Sequence, residues 1–183
     1  AAHGFAVLIP DLFWRQSEPL TELPDQSEAA TQQAFELYET FDTEKALDDI
    51  AASLRWLREN ENTSGKTAVL GYCLGGLLSF MSGCQLDIDA AVAYYGVGIE
   101  KNLQNKNMIR KPIMMHFAEN DSFVPAKTIK ELQETFANNN LVSLHNYSGC
   151  DHGFARTGGA NYDRGAAEIS DTRTLALLKK SLL

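Results

Sequence analysis

A chain of 183 residues with 44% hydrophobic and 22% charged side chains can bury a sizeable core within a single domain, residues 1–183. Its net charge of −8 argues against a nucleic-acid or anionic-membrane partner, and no apolar run reaches the length of a membrane span. The three cysteines, Cys73, Cys84 and Cys150, are odd in number and in no metal-ligand spacing, which points to a reducing cytoplasm and to no metal site.

In chain order, Ala1-Ala2-His3-Gly4 reads as the last turn of a helix with Gly4 as its C-cap, so upstream sequence, including N-terminal strands, is expected. Phe5 to Ile9 reads as a buried strand leaving at Pro10-Asp11. Leu12 to Gln26, with Pro19 and Pro24, reads as a long loop. Ser27 can cap a helix to about Phe41 with Ala30, Ala34, Leu37, Tyr38 and Phe41 on one stripe. A second helix starts at Asp42 or Thr43 and places Leu47, Ile50, Ala51, Leu54 and Leu57 at helical spacing. Further strands are predicted at Thr67–Leu70, Ala90–Gly96, Ile113–Phe117 and Leu141–Tyr147, with helices after Leu77, after Pro125 and over Ala166–Leu182. Gly98 to Lys111 reads as a loop. Strands alternating with helices predict an α/β fold, a mostly parallel sheet with helices on both faces.

The most informative stretch is Gly71-Tyr72-Cys73-Leu74-Gly75-Gly76, between an apolar strand and a small-residue helix. Gly-x-Cys-x-Gly is a nucleophile-elbow pattern with cysteine in the serine place. A sharp strand-to-helix turn leaves no room for side chains two residues before and after the nucleophile. It also sets the sulfur at a helix N-terminus, where free N–H groups and the dipole favour a thiolate.

A cysteine nucleophile needs a base and a group to orient that base. In α/β-hydrolases the order is nucleophile, acid, histidine. His3 precedes the elbow, and His116 and His145 lie inside predicted strands, whereas His152 follows the last strand in a Gly-bounded loop. Asp121 follows a strand's carboxyl end, while Asp87 and Asp89 precede a strand and Asp151 is too near His152 in sequence to face its ring. The reading is Cys73 as nucleophile, Asp121 as acid and His152 as base. Leu74, next after the nucleophile, would give one oxyanion-hole N–H.

Gly71-Tyr72-Cys73-Leu74-Gly75-Gly76, Tyr94-Tyr95-Gly96-Val97-Gly98, Asp121-Ser122-Phe123-Val124-Pro125 and Asp151-His152-Gly153-Phe154-Ala155-Arg156 together resemble the dienelactone hydrolase family. Pro10-Asp11-Leu12, Arg15-Gln16 and Phe41-Asp42 fit the same pattern. The resemblance implies an α/β-hydrolase fold, no cofactor, the same triad, and hydrolysis of a small lactone or related ester. It places Arg156 and Tyr94 at substrate-contacting positions, with Phe35 and Tyr38 where the family has a pocket tyrosine and tryptophan. Thr31 stands where the family has a carboxylate-binding arginine, and the family's cysteine-pairing glutamate and second oxyanion donor would lie upstream. Arg156 reads equally as a substrate contact or a solvated loop residue. The alternatives to a cysteine-dependent hydrolase are a catalytically impaired ligand-binding relative and a thiol redox sensor. Substrate identity and oligomeric state stay open.

Overall fold

Residues 3–18, 23 and 27–183 are described by a computed structural model. The chain divides into two units, Ala1–Leu57 and Arg58–Leu183.

In the first unit the Ser27 hydroxyl accepts the Ala30 N–H at 3.2 Å and caps α1, Glu28–Glu39. Asp42 does the same for α2, Thr43–Glu59, accepting the Lys45 N–H at 3.1 Å. The expected stripe of α2 is buried at Leu47, Ile50 and Leu54, joined by Ala46. By contrast α1 buries no residue, and its Phe35 and Tyr38 are exposed. Ahead of α1, both guanidinium nitrogens of Arg15 donate to the Asp49 carboxylate, and the Trp14 indole N–H donates to it at 3.1 Å. The Gln16 amide donates to Leu37 O at 3.0 Å and tethers this segment to the end of α1.

The predicted strand at Phe5–Ile9 is not one: it pairs with no strand among the described residues, and Val7 and Ile9 are largely exposed. Local β propensity needs a ladder partner to become a strand. The helix end read at Ala1-Ala2 and the prolines Pro19 and Pro24 lie outside the described residues, while Gly4 does have a left-handed backbone, φ 86°.

The second unit carries the sheet: β1 Ala68–Tyr72, β2 Ala90–Tyr94, β3 Ile113–Ala118 and β4 Val142–Tyr147, in that spatial order and all parallel. Between them run α3 Leu74–Gln85, α4 Ala126–Phe136 and, after β4, α5 Arg164–Leu182. Parallel neighbours require crossovers: α3 joins β1 to β2, α4 joins β3 to β4, and the segment between β2 and β3 has no α-helix. Strand alternation sorts the layers. Ala91 and Ile113 point at Gly83 of α3, while Tyr94 and His116, in register on adjacent strands, point the other way toward Thr174 of α5. Pro125 caps α4 instead of occupying its first turn. The stretch read as a loop after Gly98 is largely a 3₁₀ helix, Ile99–Met108, kinked at Asn102; Gly98, at φ 88°, starts it, and the Asn102 side chain donates to Gly98 O at 2.9 Å.

Beneath α5 lies a buried polar layer. Tyr94 Oη meets Thr174 Oγ1 at 2.8 Å, and His116 bonds Thr174 through Nε2 at 3.1 Å and Tyr147 Oη through Nδ1 at 2.8 Å. Burial, with His145 and Arg173 nearby, pushes the His116 imidazole down to about 3, so it is neutral. His116 is thus a satisfied core histidine, and His145 is half-buried with its ring stacked at 5.5 Å.

Candidate active site

Cys73 sits between β1 and α3 with φ 55° and ψ −114°, a strained conformation for a residue with a side chain. Two backbone approaches force it. A Cβ on Gly71 would lie 2.0 Å from Gly75 O, and one on Gly76 would lie 2.6 Å from Tyr94 O and 2.8 Å from Gly96 Cα. A Cβ on Gly75 would meet nothing within 4 Å, so the second tight position is Gly76, not the Gly75 that the elbow pattern suggests. The Cys73 N–H donates to Tyr94 O at 3.0 Å, and Cys73 O accepts from Gly76 and Leu77 at 3.0 and 3.2 Å. The Leu74 N–H, at the first turn of α3, donates to no acceptor among the described residues.

The Asp121 side chain, beyond β3, has no exposed surface. Its Oδ1 accepts the N–H groups of Phe123 and Val124 at 2.8 and 3.2 Å, leaving Oδ2 to meet His152 Nδ1 at 2.7 Å. An N–H of Asn120 bonded to Cys150 O at 2.9 Å ties the aspartate loop to the histidine loop. Left-handed Gly149 and Gly153, φ 73° and 82°, bend the chain on either side of His152. Burial disfavours a charged imidazole, yet the hydrogen bond to Asp121 and the influence of Cys73 outweigh it and lift His152 to about 9. One ring nitrogen of His152 is therefore bound to a buried carboxylate, and Cys73 is among the groups that favour its charged form.

The remaining predicted residues are placed differently. Tyr94 is fully buried, its hydroxyl bonded to Thr174 and to Asp171 at 3.1 Å, so the group it offers Cys73 is its main-chain carbonyl. Arg156 is exposed on the His152 loop and forms no ion pair among the described residues. Phe35 and Tyr38 are exposed on α1, in the other unit. His3 and Asp151 are exposed, and Cys84 and Cys150 are buried. Burial pushes the Cys84 thiol up to about 11 and raises Cys150 as well.

Sequence reasoning missed two rings that flank His152, Tyr95 at 4.8 Å and Phe123 at 4.9 Å between centroids. The Tyr94-Tyr95-Gly96 run was the available signal. Which tyrosine faces the site is decided by the left-handed backbone of Tyr95, φ 38°, which breaks the strand's alternation.

A family description, "Dienelactone hydrolase family", matches residues 1–182. The chain belongs to the dienelactone hydrolase family. It is thus a hydrolase, on an α/β-hydrolase fold. The carboxymethylenebutenolidase of Pseudomonas putida is 38% identical over 175 residues, covering 96% of this chain and 74% of that protein. Carboxymethylenebutenolidase 1 of Cupriavidus pinatubonensis is 37% identical with the same coverage. A crystal structure from Klebsiella pneumoniae, of a candidate dienelactone hydrolase, superposes with a TM-score of 0.74 at 20% identity, covering 93% of this chain and 73% of that one. Among the described residues of this hydrolase, no helix is long and apolar enough to cross a membrane, and no cluster of three or more His, Cys, Asp or Glu side chains could hold a metal ion.

Proposed function

We propose that this hydrolase cleaves a small lactone or activated ester through a Cys73–His152–Asp121 triad and a thioester intermediate. The observation that carries the reading is the His152 imidazole held through Nδ1 at 2.7 Å by the buried Asp121 carboxylate, its charged form favoured by Cys73, which stands in a strained turn at the N-terminus of α3. In the first half-reaction the thiol proton passes to His152 and the sulfur bonds the carbonyl carbon. The carbonyl oxygen becomes an oxyanion facing the Leu74 N–H. The C–O bond then breaks, and the leaving oxygen departs as an enolate or alkoxide that takes the proton from His152. In the second half-reaction His152 accepts a proton from water, the hydroxide attacks the thioester, and the C–S bond breaks to free the carboxylic acid and the thiol.

A thiolate expels strongly basic alkoxides poorly, so an enol or aryl leaving group suits it best. That preference agrees with the carboxymethylenebutenolidases among the relatives. Arg156, on the same loop as His152 and without an ion-pair partner among the described residues, is the carboxylate contact; its planar fork suits such a group. Tyr94 contributes from behind the elbow, through its carbonyl. Steady-state hydrolysis of an aryl ester tests the reading: Cys73→Ala and His152→Ala each abolish turnover while the protein stays folded. Turnover surviving Cys73→Ala would favour another nucleophile, and binding without turnover in the native protein would favour a ligand-binding role.

A further inference from the structure

Among the described residues, two without glycine's freedom adopt a left-handed backbone, Cys73 at φ 55° and Tyr95 at φ 38°. The first belongs to the elbow. The second has no role in the triad, yet its strain is held firmly in place. The Tyr95 N–H donates to His116 O at 2.7 Å, and the next residue, Gly96, is in backbone contact with Gly76 of the elbow helix. Strained backbone that the surrounding structure maintains is concentrated at functional sites.

The conformation determines where the ring goes. Had β2 continued its alternation, Tyr95 would follow the α3-facing side; instead its ring is edge-to-face with His152 at 4.8 Å and with Phe154 at 5.6 Å, and lies 6.0 Å from Tyr72 on β1. It is 3% exposed, and it feels the charges of Cys73, Asp121 and Arg156. Across the imidazole, the Phe123 ring lies at 4.9 Å, and Phe123 itself is 52% exposed. The imidazole is thus flanked by a buried ring on one side and a solvent-facing one on the other.

We propose that Tyr95 is a positioning residue for His152: its strained backbone presents a rigid ring that keeps the imidazole in line with Asp121 and shields the Nδ1–H···Oδ2 bond from water. The proposal rests on His152 acting as the base, but its test does not. The readout is the downfield Nδ1 proton of His152 in the NMR spectrum of the full chain, also readable in the Cys73→Ala background. Tyr95→Phe keeps the ring, so the resonance persists and kcat on an aryl ester stays within about threefold of native. Tyr95→Leu removes the ring; the resonance broadens into exchange with water and kcat falls by about 10²-fold at little-changed KM. If Tyr95→Leu does not fold, Tyr95→Met, which fills the same space without a rigid plane, is predicted to show the same broadening. A sharp resonance with native kcat in Tyr95→Leu or Tyr95→Met would overturn the proposal. So would a loss in Tyr95→Phe equal to that in Tyr95→Leu, since the hydroxyl would then be the active part. Failure of the base assignment is visible separately, as turnover surviving in His152→Ala.

Discussion

Asp121→Asn is a near-isosteric change with a specific electrostatic consequence. Asparagine can keep its oxygen toward the Phe123 and Val124 N–H groups, which donate to Asp121 Oδ1 at 2.8 and 3.2 Å. Its amide then points NH₂ at His152 Nδ1, where a carboxylate oxygen now sits at 2.7 Å. A donor facing the ring forces Nδ1 to be the acceptor and moves the neutral proton to Nε2, the side that must take the proton from Cys73. The wrong tautomer costs about 10⁴-fold in kcat by the precedent of other triads. Stability shifts in a defined direction as well. His152 is raised from 6.5 to about 9, first against burial and then by Asp121 and Cys73. A raised folded-state value stabilises fully below the unfolded pKa, and that stability is lost as pH rises through the folded one. The full effect is about 3 kcal/mol, present below about pH 6.5 and gone above about pH 9. In Asp121→Asn the loss across this window shrinks, which melting temperatures at a series of pH values would record. The assay is aryl-ester hydrolysis alongside thermal melting, with Asp151→Asn as the comparison. Near-native kcat in Asp121→Asn, or an equal collapse in Asp151→Asn, would refute the assignment of the acid.

Brief iodoacetamide treatment followed by peptide mapping should label Cys73 first. Cys84 is buried and held at about 11, which leaves about one thiolate in a thousand at pH 8; early labelling of Cys84 or Cys150 would count against the assignment. Gly76→Ala should destabilise by about 1–3 kcal/mol, because its Cβ would strike the Tyr94 and Gly96 backbone, whereas Gly75→Ala meets nothing and should melt within a few degrees of native; the reverse order in a denaturant titration would contradict the geometry. Arg156→Ala should raise KM for a carboxylate-bearing lactone by about 10-fold or more, as expected for one charge-assisted contact, and leave a neutral aryl ester nearly unchanged; equal losses on both would show that Arg156 supports the loop.

The central sheet was legible because its strands are apolar runs bounded by glycine, proline and polar turns, and pairing then follows from order along the chain. Asp121 and His152 were legible as positions after strand ends, a rule of topology that needs no coordinates. Phe5–Ile9 shows the limit of that reasoning: its apolar pattern is a local property, but a strand exists only with a hydrogen-bonded neighbour. Residues 99–108 show another, since a polar 3₁₀ segment that buries only Ile99 has too little periodicity to announce itself. The elbow pattern named Gly75 as tight, yet the contact lies at Gly76, because packing against Gly96 is a tertiary fact. Tyr95 was hidden for the same reason. A φ of 38° in a tyrosine is imposed by its surroundings and leaves no mark on composition or spacing.

The covalent intermediate is the most direct test of the whole account. Native protein mixed with an excess of an aryl acetate, quenched in acid within the first turnovers and digested, should yield a peptide spanning Cys73 that carries one acetyl group, formed as fast as the initial burst of phenol. The same peptide from Cys73→Ala should be unmodified and show no burst. A burst with the acetyl group on another residue, or steady turnover with no acylated Cys73 at any quench time, would contradict the thioester mechanism.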